Sequence, residues 1–175
     1  MHNSNIHSDT FRKIYEEHVT ALYRHAYFRV FSKDRAEELV QEAFLRYWEY
    51  TEKGEVVLNP KAFLYRTLTN LIIDHSRKKK ESSLDGLMED SNWAEPSANE
   101  DAMHENKFLF EEVREVLESL PKDVQELIAM RYVDEMEIKE IAEVLKTTPN
   151  NASVKLHRAM EKLKKAVAEE KWINS

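Results

Sequence analysis

The sequence predicts an all-α fold: two small helical domains joined by an acidic flexible linker. Only two glycines and four prolines interrupt 175 residues. Glu, Lys, Leu and Ala dominate, which is the composition of long helices joined by short turns. The apolar residues recur at intervals of three and four, the helical period, rather than two. A hydrophobic share of 42% is enough for a core, yet a unit of about seventy residues buries only roughly 60% of its unfolded surface and is marginal alone. Stabilising partners are therefore expected.

Phe11, Ile14, Tyr15, His18, Leu22 and Ala26 place a first helix from about Asp9 to Phe31. Ser32 or Asp34 can cap the second, in which Leu39, Val40, Ala43, Phe44 and Tyr47 form one face and the cluster Tyr47, Trp48, Tyr50 closes the helix. A loop from Thr51 to Leu58 holds Gly54. Asn59 is then an N-cap with Pro60 at the first helical position, and Leu64, Leu68, Leu71, Ile72 and His75 mark the core face of the third helix. Its expected exit is Arg77 to Lys80, where cations suit a C-terminus.

From Glu81 to Asn106, Ser, Asp, Glu and Asn replace the helical pattern, so this stretch reads as a linker. Val113, Val116, Leu117 and Leu120 restore the period, and Pro121 opens a helix carrying Val124, Leu127 and Ile128. Ile138, Ile141, Ala142 and Leu145 then form a short helix. Lys146 to Thr148 make a tight connection. Ala152, Leu156, Ala159, Leu163 and Val167 line a long final helix. The predicted units are residues 9–80, a linker over 81–107, and residues 108–172.

The net charge of −7 argues against nucleic acid until its distribution is seen. Asp9 to Lys80 carries +3, Glu81 to Lys107 carries −7, and Phe108 onward −3. The acid is concentrated in the middle. Within the last segment, Asn150 to Lys165 holds Lys155, Arg158, Lys162, Lys164 and Lys165 against Glu161 alone, a basic helix inside an acidic domain.

There is no cysteine, which removes disulfides and thiolate metal sites. Met1 to Thr10 is polar, without the apolar stretch of a signal peptide, and no run is long enough to insert in a membrane. A cytoplasmic location is expected. The seven histidines are scattered without HExxH or paired-ligand spacing, and no glycine-rich phosphate loop occurs. The sequence therefore predicts no catalytic residues, no metal, no cofactor and no enzyme.

Two helices meeting through a three- or four-residue turn need a small side chain where they touch, and Ala142 supplies it. This is a helix-turn-helix pattern. With Ala152, Leu156, Ala159 and Leu163 inward, the second helix presents Asn150, Asn151, Ser153, Lys155 and Arg158, whose chemistries suit base edges and phosphates. Pattern alone leaves open a stand-alone helix-turn-helix transcriptional regulator, whose dimer would bind paired half-sites, and an adaptor that binds only protein.

The stretch LESLPKDVQELIAMRYVDEMEIKEIAEVLKTTPNNASVKLHRAMEKLKK resembles region 4 of the extracytoplasmic-function (ECF) sigma factors of bacterial RNA polymerase. DRAEELVQEAFLRYWEY followed by NPKAFLYRTLTNLIIDHSRKKK resembles their region 2. The two stretches stand in the family's order and spacing. The resemblance implies an alternative sigma factor that binds core RNA polymerase, reads the −35 element of promoter DNA as duplex through region 4, and melts and captures the −10 element through region 2.

By that resemblance, Glu38, Leu39, Gln41, Glu42 and Arg46 are the core-polymerase contacts, a polar rim around apolar anchors. Lys61, Phe63, Tyr65, Arg66, Asn70 and Arg77 are the −10 candidates, combining cations for phosphate with flat or polar groups for unstacked bases. Arg131, Asn150, Asn151, Ser153, Lys155 and Arg158 are the −35 candidates. An anti-sigma factor is an expected partner, and the acidic linker is expected to thread through polymerase channels. The chain departs from the family in three places. Lys146 stands where the helix-turn-helix turn often has Gly, which implies modest strain if φ is positive there. Ser153 replaces a common basic residue, and Glu135 and Glu137 replace common Gly and Ser.

Overall fold

The computed structural model describes residues 2–84 and 113–173, which form helices and short connections with no strand among them. The acidic linker, with its Asp85, Glu89, Asp90 and Glu95, lies outside the described residues apart from its first few positions.

Three helices form the first unit: α1 (His2–Val30), α2 (Lys33–Glu52) and α3 (Pro60–Leu84). The connection from α1 to α2 is short because Phe31 takes a left-handed conformation, φ 51°, and Ser32 caps α2 by accepting from the Arg35 amide. Leu22 and Ala26 of α1 pack on Ala36, Leu39, Val40, Ala43, Phe44 and Tyr47 of α2. Gly54, at φ 83°, reverses the chain after α2. Asn59 then caps α3 as expected, its Oδ1 accepting from the Ala62 amide at 2.9 Å, and Leu64, Leu68, Leu71 and Ile72 are buried. Contrary to the expected exit at Arg77 to Lys80, α3 runs on to Leu84. The basic run sits inside the helix, since Lys, Glu and Ser continue a helix readily when no Gly or Pro intervenes.

The second unit holds a helical segment α4 (113–119), α5 (Lys122–Ile128), α6 (Ile138–Val144) and α7 (Pro149–Ile173). Between α5 and α6 the helix widens over Ala129–Val133, closing on a bond from the Asp134 amide to the Ala129 carbonyl, one residue longer than the α-helical spacing. Glu135 at φ 55° ends that segment, and Glu137 and Glu140 form a reciprocal capping box at the start of α6. The acid standing in place of Ser thus does the capping itself. Lys146 has positive φ, 50°, so the turn keeps the conformation that glycine favours rather than adopting another. Thr148 caps α7 and Pro149 takes its first position.

The apolar core is continuous across both units. Leu22, Leu64, Leu68 and Ile72 join one buried cluster with Leu127, Met130, Met136, Ile141, Ala142 and Ala152. The first unit therefore has a partner inside its own chain.

Candidate nucleic-acid interface

The helix-turn-helix is α6, the Leu145–Thr148 turn and α7. Ala142 is buried where the two helices meet, and its carbonyl accepts from the Thr147 amide at 2.9 Å, which ties the turn to the first helix. Ala152, Leu156 and Ala159 are buried; Leu163 is half-buried, and Val167 is already exposed, so the packed face ends about two turns before the helix does. Asn150, Asn151, Ser153, Lys155 and Arg158 all lie exposed on the opposite face, as the period required. Asn151 also holds the turn, its Nδ2 donating to Thr147 Oγ1 at 2.8 Å. Val154, not singled out from sequence, shares this face and offers an apolar surface of the kind a thymine methyl accepts. Arg131 does not belong with them. It is half-buried and donates from Nη1 to the Met136 carbonyl at 2.8 Å, bracing the turn before α6.

A second polar face lies on α3 and the loop before it. Arg66 and Asn70 follow one another at helical spacing, and Lys61 stands five residues before Arg66. The loop leaves Val56 77% and Leu58 94% exposed beside Tyr50, and Phe63 lies 5.2 Å from Tyr50, ring centre to ring centre. An open depression of about 430 Å³ runs between Tyr50, Val56, Leu58, Phe63, Arg66 and Glu143, with aromatic walls and both a cation and a carboxylate at its edge. Such a surface suits an unstacked base and its phosphate. Tyr65 is not available to it. The ring is 1% exposed, edge-on to His25, and burial beside the Asp134 carboxylate drives its phenol well above the ordinary range. Arg77 is exposed and pairs with Asp74 one turn back.

The sequence matches the family model for sigma-70 region 2 over residues 14–82 and that for sigma-70 region 4 over residues 110–163. It is 28% identical to the ECF RNA polymerase sigma factor SigW of Bacillus subtilis over 166 residues, 90% of this chain and 88% of the relative. To SigL of Mycobacterium tuberculosis it is 26% identical over 159 residues, 90% and 89% of the two chains. The chain belongs to the ECF sigma factors. Among solved structures, its fold is similar to RpoE of Bartonella quintana in complex with the anti-sigma factor NepR, with TM-score 0.66, 21% identity, and 91% and 97% of the chains covered. It is likewise similar to CnrH in complex with the cytosolic domain of CnrY, at TM-score 0.64, 19% identity, and 93% and 90% coverage.

With region 2 of the sigma factor thus placed on α1 to α3, the predicted core-polymerase residues fall on α2. Glu38, Gln41 and Arg46 are exposed and Glu42 is half-buried. Glu38 pairs with Arg35 and Glu42 with Arg46, each within one helical turn. Leu39, expected as an apolar anchor, is 8% exposed and packs inward, as does Val40. The apolar side chain this face does present is Leu45, 51% exposed, four residues from Gln41. It was legible in principle, because Leu39, Val40, Ala43 and Tyr47 fill the inward seam and leave position 45 outside. Among the described residues, no group of His, Asp and Glu is arranged to hold a metal, and no helix is long and apolar enough to cross a membrane.

Proposed function

We propose that this sigma factor divides promoter recognition between two surfaces, α7 for duplex −35 DNA and α3 with its preceding loop for the separated −10 strand, while the outer face of α2 docks on core polymerase. The observation that carries it is the pairing in one chain of two chemically different faces. The α7 face is polar and basic, without large aromatics, which suits groove edges and phosphates of an intact duplex. The α3 face sets Arg66 beside the rings of Tyr50 and Phe63, which suits bases pulled out of the stack.

On α7, Lys155 and Arg158 position phosphate and base edge, Asn150, Asn151 and Ser153 supply hydrogen bonds, and Val154 supplies an apolar surface. On region 2, Lys61, Arg66, Asn70 and Arg77 track the strand and Phe63 supports the aromatic wall. On α2, Glu38, Gln41, Glu42 and Arg46 surround Leu45 as the docking patch. The place of action is the cytoplasm, where polymerase works. An anti-sigma partner is part of this reading, supported by solved relatives that carry NepR or CnrY.

Multi-round transcription with purified core polymerase tests the reading. The chain is expected to confer initiation at promoters that core alone ignores. Core polymerase that stays silent, with the chain footprinting a palindrome by itself, would make it a stand-alone regulator instead.

A further inference from the structure

Arg158 is not the last cation on the side of α7 proposed to meet DNA. Asn151, Lys155, Arg158, Lys162 and Lys165 succeed one another at intervals of four, three, four and three residues, so they fall on one line along the helix, and all five are exposed. No acid stands on that line before Glu169. Glu161 lies beside it on the outermost face and is met by His157 at 3.5 Å. The buried seam of Ala152, Leu156 and Ala159 passes into half-buried Leu163 and Ala166. The region 4 match stops at residue 163, while the helix runs on to Ile173. The later part of the ridge therefore lies where the packed domain is ending.

Two physical features separate this ridge from an ordinary solvated face. The first is repulsion. Like charges three and four residues apart destabilise a helix, and Lys155, Arg158, Lys162 and Lys165 take three such steps in succession. A polyanion laid along them relieves what water only screens. Lys165 does reach Glu169, at 3.7 Å, but both side chains are well exposed, and such a pair gives way readily to phosphate.

The second is length. From Asn151 to Lys165 the helix rises about 21 Å at about 1.5 Å per residue, whereas the major groove is about 12 Å wide. With the first turns of α7 at base edges, Lys162 and Lys165 stand roughly 10 and 15 Å further along than Lys155. That carries them past the rim of the groove, where a side chain meets backbone rather than base. Lysine suits the position: a compact charge on a long stem neutralises phosphate and reads no sequence.

We infer that α7 carries a second DNA contact, in which Lys162 and Lys165 extend the Lys155 and Arg158 cations into a ridge that grips duplex phosphates outside the base pairs read by its first turns. This inference rests on the reading of α7 as the −35 helix. The ridge adds affinity without adding sequence preference, and its contribution depends on duplex flanking the element.

The test uses the full chain and a duplex that the wild-type chain selects from a random pool. One version ends at the edges of the selected element, and another carries about one helical turn of scrambled sequence, about ten base pairs, on each side. Anisotropy titrations compare wild type, Lys162→Ala with Lys165→Ala, and Lys162→Arg with Lys165→Arg, with helix content followed by circular dichroism. All three proteins should bind the short duplex alike. On the long duplex the Ala variant should lose about two units of salt slope, so that wild-type affinity falls roughly tenfold more than the variant's between 50 and 200 mM salt. The Arg variant, which keeps both charges, should follow wild type. Equal slopes for wild type and the Ala variant on the long duplex would overturn the ridge, and so would an Ala variant whose loss is as large on the short duplex. Wild-type DNA binding with weakened holoenzyme formation would place these lysines on polymerase instead, and would also overturn it. A wild-type chain that selects no sequence at all refutes the −35 assignment beneath, whereas selection with equal slopes refutes the ridge alone.

Discussion

Two helices of this chain carry the cations proposed to meet DNA, and their surroundings differ. On α7, Lys155 and Arg158 stand exposed, and the nearest acid on the helix, Glu161, pairs with His157 at 3.5 Å. On α3, Lys61 and Arg66 are each met by a group from α6, and Tyr65 behind them is sealed in the core. The same residue chemistry is thus free in one place and satisfied in the other. A cation count along the sequence measures capacity to bind phosphate; the tertiary partners decide whether that capacity is exposed.

The comparison breaks most sharply at the buried end. Arg29→Ala leaves Glu126 buried without its cation, and a loss of about 3–5 kcal/mol is expected in urea unfolding. Arg158→Ala on the exposed face should stay within about 0.5 kcal/mol of wild type. Similar losses for the two would mean that the buried pair and the open face are energetically alike.

Lys155→Ala and Arg158→Ala should instead weaken duplex promoter binding. About tenfold is expected for removing an interaction worth about 1–3 kcal/mol, and the salt slope should fall by about one for each phosphate that is no longer neutralised. Lys61→Ala, its partner being Glu140, should leave duplex binding by the free chain unchanged. Titrations of labelled duplex across a salt series distinguish these, and a Lys61 effect equal to that of Lys155 would erase the distinction between the faces.

How much of this was legible beforehand follows from distance along the chain. The Asn59–Pro60 start of α3, the Leu64 to Ile72 stripe, Ala142 at the helix crossing and the outward face of α7 are local facts, set by capping chemistry and the 3.6-residue period. Leu39 was expected both on the inward face of α2 and as a docking anchor, and the inward face holds it; Tyr65 was misplaced for a different reason. Tyr65 is buried by His25 and Asp134, groups far from it in sequence, which no periodicity within α3 reveals. The same holds for Arg131, whose partner is a carbonyl in a turn made possible by a locally widened helix. Glu140 and Glu143 likewise take partners distant in sequence, Lys61 of α3 and the Asn59 amide that precedes it.

Acidity sharpens the comparison further, because among the buried groups His25, Arg29, Glu126 and Asp134 it is His25 whose ordinary value lies nearest neutrality. Burial pushes His25 below 6.5, outweighing the pull of its Asp134 bond and aided by the charge of Arg29. The folded state thus favours neutral imidazole, with Asp134 accepting from Nδ1, while Glu126, Tyr65 and Arg29 face the same ring. A folded value below the unfolded one gives stability that is present above pH 6.5 and lost as pH falls through the folded value. Urea unfolding across that window should show stability falling on acidification, and His25→Gln should flatten the response. An unchanged profile in His25→Gln would assign the pH dependence to other groups.

The smallest effect concerns the turn between α6 and α7. Lys146→Gly should raise stability by about 0.5–1 kcal/mol, since glycine meets the positive φ without steric cost. No gain in thermal midpoint would mean that the turn already relieves the strain.

The division of labour between α7 and α3 is tested most directly by mapping unpaired thymines with permanganate in holoenzyme–promoter complexes, alongside nuclease protection upstream. With Lys61→Ala and Arg66→Ala combined, upstream protection should persist while strand separation is lost. With Lys155→Ala and Arg158→Ala combined, upstream protection itself should fall. Strand separation at the wild-type level in the α3 variant would contradict the account.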